Sequence, residues 1–250
     1  MKSIDLNCDM GEQPYMDVGN FDHLIMPYIS SCNISCGFHS GSPKIIEATI
    51  ESALKNKVNI GAHPSYNDRK NYGRISLSIS WSDLQSELKY QIFALKGMVE
   101  SKGGRLNHIK PHGALYNDMV KDALLASHVV DLVKGIAPEC IIIGLAESHV
   151  KTICIQKGMR FWSEGFADRA YEHKTQLRNR QLEGAVIEKE EKILEQVESF
   201  VNGQIETYNG IKEKIEIDTI CLHSDTLGAV ELSRSIVEYL YHKGIKIGLN

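Results

Sequence analysis

The sequence predicts an α/β protein on mostly parallel strands, either a closed barrel or a doubly wound sheet. Short β-branched runs alternate with segments of helical period through the whole length. No internal repeat or low-complexity linker interrupts that alternation, so residues 1–250 are read as one catalytic domain. In both architectures ligands bind at the carboxyl ends of the strands, which makes the residues at strand ends the ones to examine.

Taken in order, the strand candidates are Ser3 to Cys8, Ile29 to Ser35, Val58 to Ala62, Leu106 to Ile109, Cys140 to Leu145, Met159 to Trp162, Asp218 to Leu222 and Ile245 to Gly248. Between them Ile46, Ile50, Ala53 and Leu54 share one helical face, and Leu84, Leu88, Ile92, Leu95 and Val99 share another. Ser42 before Pro43 reads as an N-cap with proline at the first helical position, and Ser80 with Asp83 resembles a capping box. Further stripes, Ile193, Val197, Phe200, Val201 and then Ala229, Leu232, Ile236, Leu240, carry the helical layer towards the C-terminus. The polar stretch from Ala167 to Gly184 has neither period and is expected to form a loop beside the active site.

Composition excludes several classes. The 28 basic and 32 acidic residues give a net charge of -4, without a Lys/Arg block, so nucleic acid is not an expected partner. No apolar run approaches the roughly 18 residues of a membrane span, and Met1-Lys2-Ser3 leads straight into a strand rather than a signal-peptide core. Cys8, Cys32, Cys36, Cys140, Cys154 and Cys221 form no Cys-x-x-Cys pair and read as buried thiols of a cytoplasmic protein.

Asp5, Asn7 and Asp9 recur at period two, placing three polar side chains on one face of the first strand, where an apolar core would not want them. The next three strands each end in a histidine beside a breaker: Cys36-Gly37-Phe38-His39, Gly61-Ala62-His63-Pro64 and Lys110-Pro111-His112-Gly113. If the sheet closes, Asp9, His39, His63 and His112 face a common volume suited to a divalent metal or to proton transfer near neutral pH. Lys110 shares the alternating face with His108 and His112, pointing to a carboxylate partner or an anionic substrate. Glu164, Asp168 and Arg169 cluster ahead of Arg178 and Arg180, and His223-Ser224-Asp225 adds a histidine–carboxylate pair after another apolar strand, with Asp225 equally suited to capping a helix. A Gly-x-x-x-x-Gly-Lys-Ser/Thr loop, a dinucleotide fingerprint and a Gly-x-Ser-x-Gly elbow are all missing from the sequence.

Together, Asp5-Leu6-Asn7-Cys8-Asp9-Met10-Gly11-Glu12, Cys36-Gly37-Phe38-His39, Gly61-Ala62-His63-Pro64-Ser65, Lys110-Pro111-His112-Gly113-Ala114-Leu115-Tyr116-Asn117 and Phe166-Ala167-Asp168-Arg169 resemble the motifs of the LamB/YcsF family, in order and essentially from end to end. The resemblance implies an irregular (β/α) barrel with mostly parallel strands, similar to glycoside hydrolases and polysaccharide deacetylases. It implies ring opening of 5-oxo-L-proline to L-glutamate, with ATP as co-substrate and with 5-oxoprolinase subunits B and C as partners. On this reading Asp9, Lys110, His112, Glu164 and Asp168 are catalytic, and Asp5, Asn7, His39, His63, Tyr116, Arg169 and His223 bind substrate. Ser42, Ile75 and Ser224 stand where the family pattern carries aspartate, arginine and glycine, which loosens the inference about substrate preference. Two alternatives stay open: a metal-dependent carbohydrate deacetylase-like hydrolase on the same barrel, and a non-catalytic subunit that presents substrate. The sequence leaves open whether the chain forms a homo-oligomer and which subunit uses ATP.

Overall fold

The computed structural model describes residues 2–13, 22–224 and 228–248. In chain order the elements are β1 (Ser3–Met10), α1 (Asp22–Ile25), β2 (Ser31–Ser35), α2 (Pro43–Asn56), β3 (Asn59–His63), α3 (Trp81–Ser101), β4 (Leu106–Ile109), α4 (Gly113–Lys121), α5 (Ala123–Ile136), β5 (Ile141–Leu145), α6 (His149–Gln156) and β6 (Arg160–Phe166). They continue with β7 (Tyr171–His173), β8 (Gln176–Leu177), α7 (Glu190–Val201), β9 (Gln204–Glu206), β10 (Lys212–Lys214), β11 (Thr219–His223), α8 (Ala229–His242) and β12 (Lys246–Ile247).

Strands β1 to β6 pair in sequence order, all parallel, and β11 returns to lie between β6 and β1. The pairing of Asp5 to Asp9 with Thr219 to His223 closes the sheet into a seven-stranded barrel. The eighth strand, β12, fits below β2 on the same edge of β1: Gly248 donates to the Ile4 carbonyl at 2.9 Å and Ser30 to the Leu6 carbonyl at 2.9 Å. Of the two architectures open to the sequence, the barrel is the one formed. Its irregularity lies in this split edge and in the register shift between β3 and β4 at Ile60/Gly61.

Period-two alternation sets what lies inside. Along β1, Ile4, Leu6, Cys8 and Met10 join the apolar layer shared with the helices, while Asp5, Asn7 and Asp9 turn into the barrel. The helices bury the predicted stripes, with Ile46, Ile50 and Ala53 on α2 and Leu84, Leu88, Ile92, Leu95 and Val99 on α3. Ser42 and Ser80 cap these two helices, accepting from Ile45 N at 3.5 Å and Asp83 N at 3.2 Å. The stretch from Ala167 to Gly184 is not purely a loop, for it contains the β7–β8 hairpin. All six cysteines are buried and unpaired, and among the described residues no helix is long and apolar enough to cross a membrane.

Candidate active site

The barrel interior is filled by polar side chains stacked from the closed end upward. Lowest is Asp5, fully buried, which accepts from the hydroxyls of Ser30, Ser31 and Thr219, each at 2.6 Å. Burial raises its carboxyl above the usual range, and the three hydroxyls hold that rise back. In the next layer Asn7 donates to Thr219 Oγ1 at 2.7 Å and Glu164 Oε1 at 3.1 Å, and accepts from Asn33 at 2.7 Å. Asn33 also donates to Asp9 Oδ1 at 2.8 Å and accepts from His108 Nε2 at 2.8 Å. The His108 ring reaches Asn33 by passing over Gly61, where a Cβ would fall inside the imidazole. That contact gives a physical reason for glycine in the Gly61-Ala62-His63 motif.

Above this lies an ion-pair network. Lys110 Nζ, buried, stands 2.9 Å from Asp9 Oδ1, 2.8 Å from Glu164 Oε1 and 3.2 Å from Cys221 Sγ. Burial opposes the ammonium charge, but Asp9, Cys221 and Glu164 outweigh it and hold Lys110 well above its ordinary value. Burial likewise works against an ionised Asp9, yet His63 and Lys110 hold its carboxyl well below the usual range. The second Asp9 oxygen lies 3.2 Å from His63 Nε2 and 3.8 Å from His223 Nε2.

Three imidazoles ring the mouth, delivered by the ends of β2, β3 and β4. His39 and His112 stack with ring centroids 3.8 Å apart, and His63 meets His112 edge-on. Glu12 reaches into the group, with Oε1 2.8 Å from His39 Nε2 and 3.4 Å from His112 Nδ1. Burial lowers both His39 and His112 well below the ordinary imidazole value, helped by His63 in the first case and His39 in the second. Gly73, at φ +63, brings the 69–74 loop backbone against both rings, leaving no room for a Cβ beside His39.

His223, at the end of β11, completes the rim. Its Nδ1–H and its backbone N–H both donate to Asp168, at 2.9 Å and 3.1 Å, so Nε2 faces the pocket. Burial alone would lower His223, but the adjoining Asp168 carboxylate raises it above the ordinary value. Phe166 stacks on His223 and lies under Lys110 Nζ, 5.3 Å from the ring centroid. Tyr116 packs edge-on against the same ring, its buried hydroxyl pushed well up by burial and by Glu164.

Asp5, Asn7, Asp9, His39, His63, Lys110, His112, Tyr116, Glu164, Asp168 and His223 thus converge on one pocket. Arg169 borders it with a different engagement: Nε donates to the Ala185 carbonyl at 3.1 Å and an Nη to the Arg178 carbonyl at 2.7 Å, pinning the loop. Ser224 donates to the Asp9 carbonyl at 2.8 Å, Ser42 caps α2, and Ile75 is exposed. Asp225 lies outside the described residues. Glu12 and Asn33 are the site residues the sequence reading did not single out. Glu12 sits within a quoted motif, and Asn33 lies on the period-two face that leads to Ser35, so both had a signal in the pattern. The ligand atoms of Asp9, His63 and His112 lie within 4.8 Å of one another, as do those of Glu12, His39 and His112 and those of Asp9, Cys221 and His223, so such clusters could coordinate a divalent metal.

Relatives match nearly the whole of this chain. A protein of Natranaerobius thermophilus described as the A subunit of 5-oxoprolinase is 41% identical over 99% of this chain and 96% of its own length. Another so described, from Pyrococcus furiosus, is 41% identical over 98% of this chain and 96% of its own. The crystal structure of a lactam utilization protein from Thermus thermophilus superposes with a TM-score of 0.90 at 32% identity, covering 99% of both chains. A family 4 carbohydrate esterase from Streptomyces lividans shares the fold alone, with a TM-score of 0.52 at 12% identity over 99% of this chain and 92% of its own. The LamB/YcsF family model matches residues 4–249, and on that span the chain belongs to the LamB/YcsF family.

Proposed function

We propose that the chain is the A subunit of an ATP-dependent 5-oxoprolinase, acting as one (β/α)-barrel catalytic domain that hydrolyses a cyclic amide. The observation that carries this reading is Lys110, buried between Asp9 and Glu164 at the open end of the barrel and overlooked by imidazoles. It is supported by the identity of about 41% to relatives described as the A subunit of 5-oxoprolinase.

A lactam is a poor electrophile, so the ring must be activated before water can open it. Transfer of a phosphoryl group from ATP to the amide oxygen supplies that activation, and in this reading that step falls to the partner subunits B and C. At this site water then adds at C5, losing its proton to the Asp9–His63 pair, and the C5–N bond breaks as nitrogen receives a proton. His223, whose pKa the Asp168 carboxylate raises against burial, is placed to give that proton. The resulting acyl phosphate is hydrolysed by a second water to glutamate and phosphate. Lys110 neutralises charge developing on the oxygens at C5, His112 and Glu164 hold the pair and the lysine in place, and His39, Tyr116 and Arg169 shape the substrate's surroundings. Asp5 and Asn7 support the pocket floor.

Reconstitution tests this. Glutamate release from 5-oxoproline with ATP should appear only when the chain is mixed with its two partner subunits. In that mixture Asp9→Asn should lower turnover by about 10²–10⁴-fold while the circular dichroism spectrum still shows the native fold. Full activity of the Asp9→Asn mixture would refute the assignment.

A further inference from the structure

Each of the three mouth imidazoles has one ring nitrogen whose hydrogen is already fixed. His63 Nδ1 faces the Lys110 carbonyl at 2.7 Å, and His112 Nε2 faces the Tyr72 carbonyl at 2.9 Å. A carbonyl only accepts, so both nitrogens carry hydrogen. His39 Nδ1 meets Ser65 Oγ at 2.9 Å, and that hydroxyl has already given its own proton to the Tyr66 carbonyl at 2.9 Å. His39 Nδ1 is therefore a donor too.

The other three nitrogens are then lone-pair donors when the rings are neutral, and all point into one volume. His63 Nε2 lies 2.9 Å from His112 Nδ1 and 3.2 Å from Asp9 Oδ2, while His39 Nε2 lies 2.8 Å from Glu12 Oε1. These are acceptor–acceptor contacts, which repel unless something positive lies among them. Extra protons on the imidazoles would serve, but that means charging rings in a buried setting. A divalent cation among Asp9, His63 and His112 satisfies their lone pairs together, since those ligand atoms lie within 4.8 Å of one another, and Glu12 with His39 flanks it through the shared His112. Metal-ligating histidines generally donate their other ring nitrogen to a carbonyl or a similar acceptor, which is the arrangement of all three here.

We infer that Asp9, His63 and His112, with Glu12 and His39 beside them, form a binding site for one divalent transition-metal ion of the zinc class. Mixed imidazole and carboxylate donors select such an ion over calcium or magnesium. Bound there, it would take over from the Asp9–His63 pair the task of bringing a water nearer to ionisation at neutral pH, and would polarise an oxygen at C5. That catalytic consequence rests on the lactam-hydrolase reading, whereas the binding itself does not.

The test uses the whole purified chain, stripped with a chelator and titrated with Zn²⁺ and Co²⁺ by calorimetry and by the visible absorption of Co²⁺. One equivalent should bind saturably and raise the melting temperature. Binding should be lost in His63→Ala and in His112→Ala. Ser65→Ala, which removes only the hydroxyl that orients His39, should weaken binding by about 10–100-fold without altering the fold. No saturable binding by the wild-type chain, or undiminished binding in both alanine variants, overturns the site. Metal binding without lactam hydrolysis in the reconstituted mixture would leave the site standing and sink the functional reading. Full hydrolysis by a stripped chain that binds neither ion would do the reverse.

Discussion

Burying an ammonium costs several kcal/mol unless it is paired and hydrogen-bonded, and Lys110 is buried with two carboxylates and the Asn7 amide oxygen about it. Asp9, held well below the usual carboxylate range by His63 and Lys110, is a weak base by itself. The proton traffic then falls to the imidazoles, with His223 on the donor side. A group that must be protonated loses function as pH rises through its pKa, so a raised His223 extends activity upward in pH. Asp168→Asn removes the charge that raises it, and the alkaline limb of kcat/KM against pH should move to lower pH in the reconstituted mixture. An unmoved limb would remove His223 from the donor role. Much of this was legible in the chain: three imidazoles beside glycine or proline, and acids at period two, marked the strand ends. Glu12 was harder to read because a single carboxylate after Gly11 has no period, and only the closed barrel shows which imidazole it meets.

At the scale of elements, the strands of the barrel were found by their β-branched runs, with β4 matched at both ends and no end displaced by more than four residues. The largest displacement is in β6, which continues past Trp162 to Phe166 because Glu164 faces the polar interior and the outward positions Ser163 and Gly165 carry no apolar side chain. Apolar patterning therefore stops before the strand does. The short β7–β8 and β9–β10 hairpins were missed because their residues are mostly polar and bury little. Among helices α4 to α6 only α5 carries a side-chain N-cap. The Asp122 carboxylate ends the connection from α4 and accepts from Leu124 N at 2.8 Å and Leu125 N at 3.1 Å, both shorter than the 3.5 Å cap of Ser42 on α2. Asp122→Ala should cost about 1 kcal/mol in urea unfolding, and more than Ser42→Ala, with turnover unaffected. Equal losses from the two variants would mean that cap length does not set their strength.

For the molecule as a whole, buried titratable groups tie stability to pH in opposing senses. Burial lowers His108 to about 3, so the unfolded chain takes up a proton first and stability falls as pH drops from about 6.5 towards 3. Burial raises Asp22 to about 6, offset in part by the Gly11 N–H it accepts at 2.8 Å. There the folded chain takes the proton first, so stability is gained as pH falls from about 6 towards 3.8. Asp22→Asn removes that opposing gain. Urea unfolding of metal-free protein at pH 6, 5 and 4 should show the variant losing stability more steeply than wild type by about 1.4 kcal/mol per pH unit. Parallel curves would place the Asp22 titration elsewhere.

The hydrogen-bonded floor of Asp5, Ser30, Ser31 and Thr219, with β12 laid along the lower edge of β1, makes the barrel a cup rather than a pipe. Whatever enters must leave by the same rim, so a short-lived activated compound handed over by another protein has a single doorway. A neighbour performing that hand-over would have to dock across the histidine-lined lip, covering it while the exchange takes place.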